Sequence, residues 1–194
     1  MGLLICIPIT ALPLLMSFKD SWLPVVKPYI KDPFAVANLD AQVYWSGWEA
    51  SIGAFYFVCL LLFLIVEYRN SITAAIILYV STALTLQFTL YLIVPKVEAY
   101  VQGAVIEFYE SMQGKDVYVE SAGYKSYGKY YYTRKTPGFN PKSRNEEWLI
   151  NGDIDRPVYF ASKCTFKGFE NNPKIHLLYC KNGYCFYKRN VTDK

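Results

Sequence analysis

Residues 72 to 94, "ITAAIILYVSTALTLQFTLYLIV", carry no charge, and about 20 apolar residues suffice to cross a bilayer core of ~30 Å as a helix. This run therefore reads as a transmembrane helix. A second uncharged run, residues 50 to 66, "ASIGAFYFVCLLLFLIV", reaches spanning length when Trp45 and Trp48 are taken as interfacial anchors and Glu67, Tyr68 and Arg69 as its polar end. Only "EYRNS" separates the two, so they form an antiparallel hairpin whose outer ends share one side. A third run, residues 2 to 16, "GLLICIPITALPLLM", is short for a span and lacks the basic start and cleavage site of a signal peptide. Pro8 and Pro13 are tolerated in a membrane helix with neighbours. The run reads as the end of a membrane helix, with an intact short anchor as the alternative.

From Lys96 onward the chain turns charged and tyrosine-rich. Residues 1–95 are thus expected to form a membrane part, with helices at 2–16, 45–66 and 72–94 and an interfacial loop at 17–44. In that loop Pro24, Pro28 and Pro33 discourage long helix, and Trp22, Phe34, Tyr44 and Trp45 suit contact with membrane lipids. Residues 96–194 should form a soluble domain large enough for a small core.

Within that domain, Val97, Val101, Ala104, Val105, Phe108 and Met112 recur at helical spacing, which predicts one amphipathic helix over 96–112. "DVYVES" reads as a strand, Ala122-Gly123 as a turn, and 124–134 as a helix with Tyr124, Tyr127 and Tyr131 on one face. Such a stripe is expected to pack as core. After the loop "TPGFNPKSR", "NEEWLINGD" predicts a short helix ended by Gly152, and "RPVYFASK" a strand parallel to the first through a right-handed crossover. In "HLLYCKNGYCFYKR" the Asn182-Gly183 pair is a favoured hairpin turn. The expected fold is a membrane α-helical hairpin of two to three transmembrane helices followed by a small α/β domain with a mixed sheet.

The hairpin register places Cys180 opposite Cys185 in a non-hydrogen-bonded pair, within disulfide reach. The pair forms a disulfide on an oxidising face of the membrane, or remains as two thiols. A zinc site from Cys164, His176, Cys180 and Cys185 is disfavoured, because the spacing matches no standard finger, so no metal is expected. Orientation is contested: Lys19, Lys27 and Lys31 against the single Arg69 favour a cytoplasmic domain by charge, whereas the cysteines favour the other side.

Three stretches carry a resemblance: "IKDPFAVANLDAQVYWSGWE", "LIVPKVEAYVQGAVIEFYESMQGKDVYVESAGYKSYGKYYY" and "LINGDIDRPVYFASK". Together they resemble the C-terminal third of bacterial membrane glycosyltransferases related to protein O-mannosyltransferases and to the aminoarabinose transferase of lipid A modification. The resemblance implies a multi-pass protein of the bacterial inner membrane with a periplasmic C-terminal domain. It further implies sugar transfer from a polyprenyl phosphate donor without a cofactor. The family's catalytic acid lies in an N-terminal loop with no counterpart here, so that missing portion of the enzyme is an expected partner and this chain is expected not to be catalytic alone. Were it active alone, Asp32 or Asp40 would carry the chemistry. The alternative is a membrane-anchored periplasmic binding or scaffold module.

For ligand contact, the carboxyl end of the first strand leads into a helix N-terminus, where backbone N–H groups favour anions. Ser121, Gly123, Lys125 and Ser126 are the candidates there, against a reading in which Gly123 only permits the turn and Lys125 is solvated. "NVT" at 190–192 matches a glycosylation sequon by pattern alone. No phosphate-cradling glycine motif, nucleophile elbow or carboxylate pair stands out. The modest net charge of +4 does not argue for nucleic acid.

Overall fold

A computed structural model describes residues 2–135 and 140–191. The loop residues 136–139 and Thr192 of the sequon lie outside the described residues. The chain divides into two compact units, Met1–Tyr29 with Gln42–Ala99, and Ile30–Ala41 with Tyr100–Lys194.

In the first unit, α1 (Gly2–Ser17) and α2 (Lys19–Val26) meet at a sharp break. Helix α2 occupies part of the expected loop, with Pro24 inside it. After the second unit's α3 (Pro33–Leu39), a 3-10 turn at Trp48–Ala50 leads into α4 (Ser51–Glu67), and α5 (Ser71–Phe88) follows. Two helices among the described residues are long and apolar enough to cross a membrane, Trp48–Glu67 and Ser71–Val101. A third span results if Leu4–Ser17 and Lys19–Tyr29, bent by 92°, act as one broken span.

The second span does not stop before Pro95 as the sequence suggested. A π-turn at Thr89–Ile93 precedes α6 (Val94–Val101), and the Val94 N–H reaches back to the Thr89 carbonyl. Proline has no N–H to offer an ordinary helical turn, and the widened turn lets the helix continue past it.

Small and hydroxyl-bearing residues line the contacts between these apolar helices. Tyr56 on α4 hydrogen bonds Thr82 on α5 at 3.0 Å. A Cβ at Gly53 would lie 2.0 Å from the Thr10 Oγ1 of α1, so only glycine permits this backbone approach. Lys96 pairs with Glu49 and donates to the Tyr44 carbonyl at 2.9 Å.

The second unit is a four-stranded mixed sheet in the order β1-β2-β4-β3. Its strands are β1 (Tyr118–Ala122), β2 (Val158–Lys163), β3 (Ile175–Lys181) and β4 (Tyr184–Arg189). The parallel pairing of β1 with β2 and the antiparallel β3–β4 hairpin agree with the sequence reading. Asn182 and Gly183 both take positive φ, 46° and 81°, the geometry that a two-residue turn of the favoured hand requires.

Alternation along the strands sends side chains into two cores. On one face Phe108, Tyr109 and Met112 pack with Ala161, Tyr184 and Phe186. On the other Leu149, Ile154 and Phe169 pack with Val158 and Phe160. The central strand β4 is buried on both faces, while the edge strand β3 is buried only at Ile175.

Three local expectations change. The amphipathic helix is divided into α6 and α7 (Gly103–Glu110), because Gln102 leaves helical geometry at φ −131° and its carbonyl starts a new helix. Ala104, Val105, Phe108 and Met112 are buried as expected, whereas Val97 and Val101 are exposed. The helix predicted over 124–134 shrinks to α8 (Gly128–Thr133), since the Ser126 hydroxyl turns the chain by accepting from the Gly128 N–H at 3.2 Å. The tyrosine stripe is thereby broken: Tyr127 and Tyr131 are 83% and 78% exposed, and only Tyr124 turns inward. Finally, α9 (Glu146–Asn151) ends at Gly152 in extended rather than left-handed geometry. Glycine is needed there for space, because a Cβ would lie 2.3 Å from the Trp148 ring.

Tyr124 hydrogen bonds Tyr109 at 3.3 Å. Burial, then the Tyr184 and Glu120 charges, push the Tyr124 phenol up to about 12 despite that bond. Burial raises Tyr109 further still. Both groups are neutral in the fold, so their contribution is complete below the ordinary value of ~10 and is lost as pH rises from ~10 towards 12. Tyrosinate absorbance should therefore show phenols that ionise only together with loss of near-ultraviolet circular dichroism. Full ionisation near pH ~10 with that signal intact would contradict it.

Candidate functional site

A cavity of about 540 Å³ opens beside β1 in the sheet unit. The α7–β1 connection supplies Lys115 and Asp116, and β1 supplies Tyr118 and Glu120. Helix α8 and the residues after it supply Lys129, Tyr130, Arg134 and Lys135. The 3-10 turn Pro141–Arg144 adds Ser143 and Arg144, and Arg156 enters just before β2. Six cations thus face two carboxylates, Asp116 and Glu120.

The carboxylates are already committed. Glu120 pairs with Lys129, both largely buried, and Asp116 pairs with Arg156. The Lys135 ammonium donates to the Val117 carbonyl at 2.7 Å. Burial depresses the Lys135 pKa, and the Arg156 and Lys115 charges depress it further against the opposing pull of Asp116. Lys115, Arg134 and Arg144 have no carboxylate partner among the described residues. A cavity of mixed lining with surplus cations and two tyrosines can take a phosphate-bearing ligand with hydroxyl groups.

The sequence candidates lie elsewhere. Ser121 is buried and its N–H bonds the Glu120 carboxylate at 3.0 Å. Gly123 has φ +75° and a Cβ there would overlap Phe166, so it serves the turn. Lys125 is exposed, and Ser126 holds the turn before α8. No helix starts directly after β1, so the anion contact expected at its N-terminus is absent from this place. The cavity uses cations scattered between positions 115 and 156, which no local run announces.

Asp32 and Asp40 are both drawn into α3. The Asp32 carboxylate accepts from the Phe34 N–H at 2.9 Å as an N-cap, and Asp40 ends the helix. Among the titratable groups of the second core, Arg189 is 1% exposed and donates to the Leu149 carbonyl at 2.7 Å and to the carbonyls of Trp148 and Gly152. It closes the C-terminus of α9, where a cation is favoured. Its place between Lys188 and Asn190 gave no hint of burial.

Cys180 and Cys185 form a disulfide with Cα atoms 4.0 Å apart. Cys164, Cys180 and Cys185 bring their sulfurs within 4.8 Å of one another, and His176 is not in that group. The pairing shifts between Leu177 and Tyr179, so His176 lies opposite Lys188 while Cys180 lies opposite Cys185. That bulge puts His176 and Cys180 on opposite sheet faces, not on the one face that strict alternation implied.

Comparison with known protein families, with curated proteins and with solved structures finds no match to this chain.

Proposed function

We propose that this chain is a terminal portion of a polyprenyl-phosphate-dependent membrane glycosyltransferase. In this reading its sheet unit stands in the periplasm and binds the phosphate-bearing sugar headgroup. The observation that carries the binding role is the cavity beside β1, where Lys115, Arg134 and Arg144 remain without carboxylate partners among the described residues. The apolar helices Trp48–Glu67 and Ser71–Val101 supply the membrane anchorage such an enzyme needs. The Cys180–Cys185 disulfide supports an oxidising compartment for the sheet unit. The three resembling stretches supply the reaction class. Chemistry is assigned to the partner portion of the enzyme, because Asp32 and Asp40 serve as the two ends of α3 rather than as a positioned acid or base.

Ser143 lines the cavity, and Asn70 caps α5 in the hairpin turn. In a background without native cysteines, Ser143→Cys should react with an impermeant thiol reagent in intact spheroplasts, and Asn70→Cys should not. Polyprenyl phosphate carrying a sugar should slow the reaction at position 143 more than the free polyprenol does. Labelling at 70 but not at 143 refutes the orientation, and equal rates with both lipids refute the headgroup role.

A further inference from the structure

The disulfide has a third sulfur beside it. Strand β4 is flanked by β3 on one side and by β2 on the other, and each neighbour brings a cysteine to Cys185. From β3, Cys180 lies directly across the pair. At the end of β2, the Cys164 N–H donates to the Gly183 carbonyl at 2.8 Å. That backbone bond extends the β2–β4 pairing by one residue and sets the Cys164 sulfur 2.6 Å from that of Cys185. Cys185 is buried, whereas Cys164 and Cys180 are exposed. The shared sulfur is therefore sheltered, and both of its partners face outward.

We propose that Cys164, Cys185 and Cys180 form a thiol–disulfide exchange site with Cys185 as the common sulfur. The Cys164 thiolate attacks the Cys185 sulfur, a Cys164–Cys185 bond forms, the Cys180–Cys185 bond breaks, and Cys180 leaves as the thiolate. One thiolate and one disulfide stand on each side of this step, so no oxidant or reductant is consumed. Cys164 loses its proton to solvent before the attack, and Cys180 leaves as the thiolate, so no proton moves in the exchange itself. The exchange moves the reactive thiol from the end of β2 to the edge strand β3. There it meets its external substrate class, low-molecular-weight or protein disulfides: the Cys180 thiolate attacks such a disulfide, forming a mixed disulfide and releasing the other half as a thiol. Partial desolvation raises the Cys164 thiol above its ordinary value, so the attacking thiolate is the minor species and the exchange quickens as pH rises.

The test uses the full chain in nanodiscs, equilibrated with a trace of reduced glutathione, acid-quenched, alkylated and mapped by mass spectrometry without reduction. In the wild-type chain the alkyl label should divide between Cys164 and Cys180, with both Cys180–Cys185 and Cys164–Cys185 peptides present. Cys180→Ser, treated with glutathione disulfide, should form the Cys164–Cys185 link. Label confined to Cys164 in the wild-type chain, or separately modified thiols at Cys164 and Cys185 in Cys180→Ser, overturns the proposal.

Discussion

Glu120→Ala is expected to lower the stability of the sheet unit by about 3–5 kcal/mol, because it leaves the Lys129 ammonium buried without its partner. Lys129 sits on α8 facing β1, and both side chains of the pair are about nine-tenths shielded from solvent. A charge stranded there must either lose its proton or drag α8 off the sheet edge. Replacing both residues by apolar ones of similar size, Glu120→Leu with Lys129→Met, removes the stranded charge. That double variant should return to within about 1 kcal/mol of the parent, since a buried ion pair is worth little more than good apolar packing. Denaturant unfolding of the full chain in detergent, followed by near-ultraviolet circular dichroism, measures both. A single variant that loses less than about 1 kcal/mol, or a double variant that loses as much as the single, contradicts this view of the pair.

The second large effect is at Arg189. Truncation to alanine should cost about 3 kcal/mol, from orphaned carbonyls at the C-terminus of α9 and from the void the side chain leaves. Lysine keeps the charge but cannot span the carbonyls of Trp148, Leu149 and Gly152 at once, so Arg189→Lys should recover only part of the loss. Hydrogen exchange localises the damage: amides of α9 and the adjacent end of β4 should exchange faster, and those of α4 and α5 should not. Stability unchanged in Arg189→Ala would mean that the guanidinium is an incidental contact.

Most of the secondary structure was legible because hydrophobic period and turn chemistry agree there. The uncharged runs mark the long apolar helices, the Asn182-Gly183 pair fixes the hairpin, and the Cys180–Cys185 register follows from that turn alone. What escaped depends on backbone choices that composition does not encode. Gln102 ends a helix inside an unbroken apolar pattern, and Ser126 delays α8 by a hydroxyl-held turn. Pro95 lies inside a continuing apolar helix because a π-turn absorbs its missing donor. Leu178 adds a residue to β3 and reverses the facing of His176.

The cavity was hidden for a different reason. Its cations come from α8, from three connections and from a 3-10 turn, and their convergence depends on how these pieces fold back along β1. A carboxyl-end rule for crossover units pointed to Ser121 and Gly123, while the chain builds its concave surface at the opposite end of the strand. Lys125, the one cation in the predicted site, faces solvent.

The binding claim is tested most directly by the affinity of a hexose 1-phosphate for the full chain in nanodiscs, compared with a Lys115→Ala, Arg144→Ala double variant. Neither substitution touches an ion pair of the fold, and each removes a cation from the cavity wall. The parent should bind saturably, and that binding should weaken as salt is added. The double variant should lose about a hundredfold or more, as expected for two charge-assisted bonds worth about 1.5–3 kcal/mol each. Absence of saturable binding by the parent, or equal affinity in the double variant, would contradict the binding claim.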